Sequence, residues 1–248
     1  MPKPRIDLNA DLGEGVGNDA AMLSLVTSAN IACGGHASDP DLMLKTLRHA
    51  AARGVTIGAH PGYPDRANFG REVIPMAPAS ITNMVAAQIG ALCGLAGLAG
   101  VRVSYVKAHG ALANLAADPR GVADAIATAA KSAGLALLAI SGTELQAAGR
   151  AAGIPTFAEI FADRAYLATG RLVPRSHPEA MIHDPKQAGW QLISFLDTGL
   201  MPVIDGPPIH LAAQSICIHG DSPGAVAMAR NLRDGLSAHG LMLAPFQP

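Results

Sequence analysis

Short runs of apolar and β-branched residues recur along the chain, near residues 6–9, 28–33, 55–59, 102–107, 135–140, 155–160 and 215–219. Between them lie Ala/Leu-rich stretches with helical spacing, at about 19–26, 39–53, 78–98, 119–133, 143–152 and 224–238. Strands alternating with helices predict parallel pairing through right-handed crossovers. Helix starts are marked by Asp39-Pro40, Asp118-Pro119 and Ser222-Pro223, each a capping side chain before a proline at the first helical position. Gly54, Gly134, Gly153 and Gly240 mark stops. Seven such units predict an α/β fold: a distorted, seven-stranded, parallel (β/α) barrel of the TIM-like kind, ahead of an open doubly wound sheet. Residues 165–213 break the rhythm with six prolines and one clear helix near 186–198. They are expected to form an irregular excursion over the barrel mouth. No glycine/serine linker or shift in composition divides the chain, so residues 1–248 are read as one domain.

The first run carries a second pattern. Asp7, Asn9 and Asp11 alternate with Ile6, Leu8, Ala10 and Leu12, and in a strand residues i, i+2 and i+4 share a face. Composition makes such polar positions stand out, because 50% of the chain is hydrophobic and only 15% charged. Its 248 residues suit a large core and a single barrel. The net charge of −1 without a basic run excludes nucleic acid and anionic membrane as expected partners. Cys33, Cys93 and Cys217 lie far apart with no metal-finger spacing, which fits buried thiols in a reducing compartment. The N-terminus has no apolar signal core, and a cytoplasmic location is expected. One charge-free stretch, Ala77–Val101, is long enough to span a bilayer. Asn83, Gln88, four glycines and the stripe Ile81, Val85, Ile89, Leu92 instead predict a buried helix of a soluble protein.

Polar clusters follow the predicted strands: NADLGE, CGGHASD, AHPGYPD, KAHGALAN, AEIFADR and IHGD. In a parallel barrel the strand ends and the loops after them build the site. Asp7, Asn9, Asp11, His36, His60, Asp65, Lys107, His109, Glu159, Asp163, Arg164, His219 and Asp221 are therefore expected on one rim. A single histidine after a strand is more often a hydrogen-bonded loop residue, and Asp39 and Asp118 are better read as caps. Lys107 sits inside an apolar run, where a buried ammonium requires partners, and Asp7, Asp11 and Glu159 are the expected ones. On this reading Lys107→Met removes activity and leaves the fold nearly intact. Gly220–Gly224 matches G-x-S-x-G, but Pro223 has no N–H for an oxyanion, so Ser222 is read as a cap. No dinucleotide or Walker loop is present.

IDLNADLGEG, SANIACG-x-H, GAHPGYPDR-x-NFGR, K-x-HGAL-x-N, AEIFADRAY, LVPRS and IHGD occur in this order and cover most of the chain. Together they resemble the LamB/YcsF family. The resemblance implies a barrel of the glycoside hydrolase/deacetylase kind. It also implies a role as the A component of 5-oxoprolinase, with partner subunits B and C, in ATP-dependent opening of the lactam 5-oxo-L-proline to L-glutamate. Mg as the ATP complex would accompany the nucleotide. Phosphorylating the lactam oxygen needs nearby cations, for which Lys107 and Arg164 are candidates, and water needs a general base, with Asp11, His60, His109 or Asp221 available. Asn9, His36, Asp65, Arg71, Asn114, Glu159, Asp163, Arg164, Arg175 and His219 are the matching candidates for binding substrate or ATP. Gly35, Ala108 and Ala113 stand where the family carries bulkier residues, which implies a wider pocket. A rival reading is metal-dependent amide or N-acetyl hydrolysis, with a divalent metal on Asp11, His36 and His60. A third is a non-catalytic subunit that only binds ligand. A homodimer is compatible with all three.

Overall fold

The computed structural model describes residues 4–220 and 224–247. Five strands are each followed by helix before a sixth strand: β1 (Arg5–Leu12), α1 (Asp19–Met22), β2 (Ser28–Ala32), α2 (Pro40–Ala51), β3 (Thr56–His60), α3 (Pro78–Ala99), β4 (Val103–Val106), α4 (Gly110–Leu115), α5 (Arg120–Ser132), β5 (Ala136–Ile140), α6 (Glu144–Ala151) and β6 (Thr156–Phe161). The excursion then holds α7 (Pro185–Thr198) and a small antiparallel hairpin, β7 (Leu200–Met201) and β8 (Ile209–His210). Strand β9 (Ser215–Ile218), helix α8 (Ala225–Ala238) and β10 (Met242–Leu243) complete the chain.

Closure decides between the two expected architectures. Strand β1 pairs in parallel with β2 on one side and β9 on the other, and β9 also pairs with β6. The sheet is a seven-stranded barrel, and β10 adds to the end of β1 outside the ring. Register carries the polar face of β1 inward: Asp7 lies opposite Ser215, and Asn9 opposite Ser28. Leu8, Ala10 and Leu12 point to the helical layer and join the main core. Both faces of β1 are therefore buried, although only one is apolar.

The pairing of β3 with β4 is irregular. A register shift falls at Ile57/Gly58, and a Cβ on Gly58 would overlap the Tyr105 ring. The absent side chain is what admits Tyr105 to the interior.

Helix boundaries follow local chemistry with two departures, at Asp118 and in α3. Asp39 caps α2 by accepting from Leu42 N at 2.8 Å, as expected. Asp118 does not cap α5, whose cap position is Pro119 with no side-chain bond. Its carboxylate instead accepts two hydrogen bonds from the Arg171 guanidinium, at 2.9 and 2.7 Å, which tie the excursion to the barrel. The Ser222-Pro223 start lies outside the described residues; α8 begins at Ala225 after Gly224. Helix α3 was expected to be buried, yet only the stripe Ile81, Val85, Ile89, Leu92, Ala96 is. Ala87, Gly90, Ala91, Gly94 and Leu98 face outward, because the barrel contacts one side of a helix that is apolar all round.

Candidate functional site

A TIM-like barrel is ordinarily filled by layers of branched apolar side chains. Much of this interior is instead a hydrogen-bonded polar column. At its base Asp7 accepts from Thr27 Oγ1 and Ser28 Oγ, both at 2.6 Å, and from Ser215 Oγ. Burial drives the Asp7 carboxyl up to about 6, against the lowering effect of these three hydroxyls. In the middle layer Asn9 Nδ2 donates to Ser215 Oγ at 2.7 Å, and Asn30 Nδ2 donates to Asn9 Oδ1 at 2.7 Å. The Tyr105 hydroxyl closes that layer by donating to Asn30 Oδ1 at 2.6 Å.

Lys107 forms the next layer. Its Nζ lies 2.9 Å from Asp11 Oδ1, 2.8 Å from Glu159 Oε1 and 3.0 Å from Cys217 Sγ. Burial alone would favour a neutral amine, but Asp11 and Glu159 hold Lys107 well above the ordinary lysine range. Burial also disfavours an Asp11 anion, and the His60 imidazole and the Lys107 ammonium beside it overcome this to keep it well below the usual range. Glu159, the second carboxylate on one ammonium, is raised by burial despite Lys107. Burial pushes the Cys217 thiol up, so it meets Lys107 as a neutral acceptor.

Above Lys107 three histidines pack together. His109 Nδ1 is 2.9 Å from His60 Nε2, and the rings of His36 and His109 stack at 3.6 Å. Burial first, then neighbouring imidazoles, lower His109 to about 3 and His36 well below the histidine range. Gly70, at φ 65°, permits this packing: a Cβ there would lie 2.6 Å from His36 Cβ. It also leaves the Phe69 carbonyl 2.8 Å from His109 Nε2.

A cavity of about 360 Å³ opens over this floor, near the lower end of the roughly 300–1,000 Å³ common for small-molecule sites. Of the expected residues, Asp11, His60, Lys107, His109, Glu159, Asn114, Arg71, Arg164, Arg175 and His219 line it. Asn9 lies beneath, inside the column. His36 is buried behind His109, with Nε2 3.1 Å from Glu14 Oε1. Asp163 stands behind the wall and accepts from His219 Nδ1 at 2.8 Å. Burial raises the Asp163 carboxyl, but His219 and then Arg164 bring it below the usual range. Asp65 is not in the cavity; it accepts from Asn68 in its own turn. Asp221 lies outside the described residues.

Arg164 donates through Nε to Ala180 O and through Nη2 to Val173 O, so much of its guanidinium holds the excursion in place. Ala108 and Ala113 line the cavity, where a larger side chain would take up space. Gly35 does not. A Cβ there would meet Gln88 Oε1 at 2.5 Å, and the Gln88 amide fills that space by bonding both the N–H and the carbonyl of Gly62. Glu14 also lines the cavity and is absent from the expected set, because the glycines on either side of it suggest only a turn. Its position just after the end of β1 is the signal that could have found it.

The sequence profile of the LamB/YcsF family matches residues 6–248. A Chloroflexus aggregans protein that bears the name of the A subunit of 5-oxoprolinase is 50% identical over 243 residues, 95% of this chain and 96% of its own. The crystal structure of a lactam utilization protein from Thermus thermophilus superposes with a TM-score of 0.90 at 38% identity, covering 97% of this chain and 99% of that one. A family 4 carbohydrate esterase from Streptomyces lividans shares the fold at a TM-score of 0.52 and 11% identity, over 97% of this chain and 91% of its own. With the profile spanning the barrel from its first strand onward, this chain belongs to the LamB/YcsF family.

Proposed function

We propose that this chain is the lactam-binding component of an ATP-dependent 5-oxoprolinase, acting with partner subunits B and C. The relatives that carry the 5-oxoprolinase name support the substrate class. The observation that carries the reading is Lys107, an ammonium fixed by Asp11 and Glu159 at the floor of a small cavity with Arg71, Arg164 and Arg175 in its walls. A five-membered lactam is a stabilised amide and a poor electrophile. Transfer of the ATP γ-phosphoryl group to its oxygen gives an activated carbon to which one water adds. Cleavage of the C–N bond, with a proton delivered to nitrogen, leaves an acyl phosphate. A second water releases phosphate, so lactam, ATP and two waters become glutamate, ADP and phosphate. In this reading Lys107 stabilises negative charge developing on the transferred group.

The test is reconstitution of this chain with ATP, magnesium and 5-oxo-L-proline, with and without subunits B and C. Glutamate and ADP are expected in equal amounts from the full mixture, and not when this chain is omitted. Glutamate formed by this chain without ATP would instead favour metal-dependent amide hydrolysis, for which the histidine cluster is the supporting observation. No turnover in any mixture would overturn both.

A further inference from the structure

The three histidines and the carboxylates beside them pose a problem of hydrogen positions. His60 Nδ1 lies 2.8 Å from Lys107 O, and His109 Nε2 lies 2.8 Å from Phe69 O. A carbonyl oxygen only accepts, so each of these nitrogens carries its ring's proton. A neutral imidazole has one N–H and one lone pair. His60 Nε2 and His109 Nδ1 are therefore both acceptors, and they face one another at 2.9 Å. Two lone pairs at that distance repel unless a cation or an added proton lies between them.

More acceptors converge on the same place. Asp11 Oδ2 is 3.3 Å from His60 Nε2, and Glu14 Oε1 is 3.6 Å from His109 Nδ1. Ligand atoms about 2.0–2.1 Å from a tetrahedral zinc-class ion stand roughly 3.3 Å apart. The three separations bracket that value. His60, His109, Asp11 and Glu14 all line the cavity, whereas His36 does not.

We propose that His60 Nε2, His109 Nδ1, Asp11 and Glu14 form a binding site for a divalent zinc-class transition metal at the cavity floor. His36 is its positioning residue. The His36 ring is parallel to that of His109, 5° from coplanar, and cannot aim a lone pair at the same ion. Its Nε2 instead meets Glu14 Oε1 at 3.1 Å and sets the carboxylate's direction. Mixed imidazole and carboxylate donors suit zinc, cobalt, iron or manganese rather than calcium. Ligating histidines commonly donate their other N–H to a carbonyl or carboxylate, which is the arrangement His60 and His109 show. The sequence reading of Asp11, His36 and His60 thus changes: His36 moves behind the site, and Glu14 and His109 enter it.

The inference does not depend on lactam chemistry, and its test needs no turnover. The purified full-length chain, stripped with chelator, is titrated with Co²⁺ and Zn²⁺ by calorimetry and by the visible absorption of bound Co²⁺. One equivalent is expected to bind at micromolar or lower Kd, and zinc is expected to raise the unfolding midpoint by mass action. Glu14→Gln and His109→Gln should each lose at least 100-fold in affinity. His36→Gln should lose about 10–100-fold while keeping one equivalent. Circular dichroism on each preparation checks that it is folded; should His109→Gln fail that check, Glu14→Gln and the wild-type titration still decide. Failure of wild-type protein to bind either ion below 100 μM overturns the proposal. Wild-type affinity in both Glu14→Gln and His109→Gln places the ion elsewhere and overturns it equally.

Discussion

Lys107 serves two carboxylates with one ammonium, and that arithmetic governs what its removal does. With the charge gone, Asp11 and Glu159 would face each other in a buried layer. Breaking a buried pair by removing one partner costs about 3–5 kcal/mol. Lys107→Met is thus expected to lose that much stability in urea unfolding, in addition to activity, where the sequence alone led to an expectation of a nearly intact fold. Adding Glu159→Gln should recover part of the loss, because one stranded charge is removed. Asp7 makes a separate prediction. Its folded value of about 6 lies above the unfolded 3.8, so its contribution is fully present below pH 4 and lost as pH rises through 6. Asp7→Asn should therefore gain on wild type between pH 4 and 7, by up to about 3 kcal/mol. Denaturant midpoints across that range would show it; a gap that stayed flat or closed would refute the assignment. Asp7, Asn9 and Asp11 were legible because their alternation exposes a strand face. Ser28, Asn30, Ser215 and Cys217 were not, because small polar groups within apolar runs reveal nothing until barrel register brings them opposite Asp7, Asn9 and Asp11. For the same reason Asp7 was expected to reach Lys107 and instead meets hydroxyls two layers down.

Elements were most readable where periodicity was long. All seven barrel strands and the helices α2, α3, α5, α6, α7 and α8 fall within a few residues of their predicted spans. The two-residue strands of the hairpin and the six-residue α4 carry too few positions for any period to register. Caps test the distinction between dipeptide and context. Asp39→Ala should cost about 0.5–2 kcal/mol for a lost helix cap. Asp118→Ala should cost about 0–1 kcal/mol, the usual worth of a solvent-exposed ion pair, since its partner Arg171 keeps bonds to Gly142 O and Ala117 O. Equal losses in thermal unfolding would contradict this ordering. Gly58→Ala is predicted to be more damaging than either. Its methyl group would enter the Tyr105 ring, and overpacking of this kind costs about 1–3 kcal/mol or more. The displaced hydroxyl would also lose Asn30. Glycine was readable as a turn former, but its use as an aperture inside a strand was not.

At the scale of the molecule, barrel closure joins the first strand to one near the other end of the chain. Ser215 on β9 bonds to Asn9 across 206 residues and to Asp7 across 208. The polar column is completed only by that last barrel strand, so the site and the closed fold arise in one event. Synthesis sets a schedule for it. At about 5–20 residues per second, the stretch between Phe161 and Ser215 takes roughly 3–11 s to emerge. Through that interval β1 and β6 present open edges that β9 will later occupy, and exposed edges recruit other strands. Asp7, Asn9 and Asp11 stay hydrated meanwhile, and charged or polar groups on an open edge discourage pairing with the wrong chain. The same side chains that make the finished interior costly to bury would thus act, before closure, as its protection against aggregation.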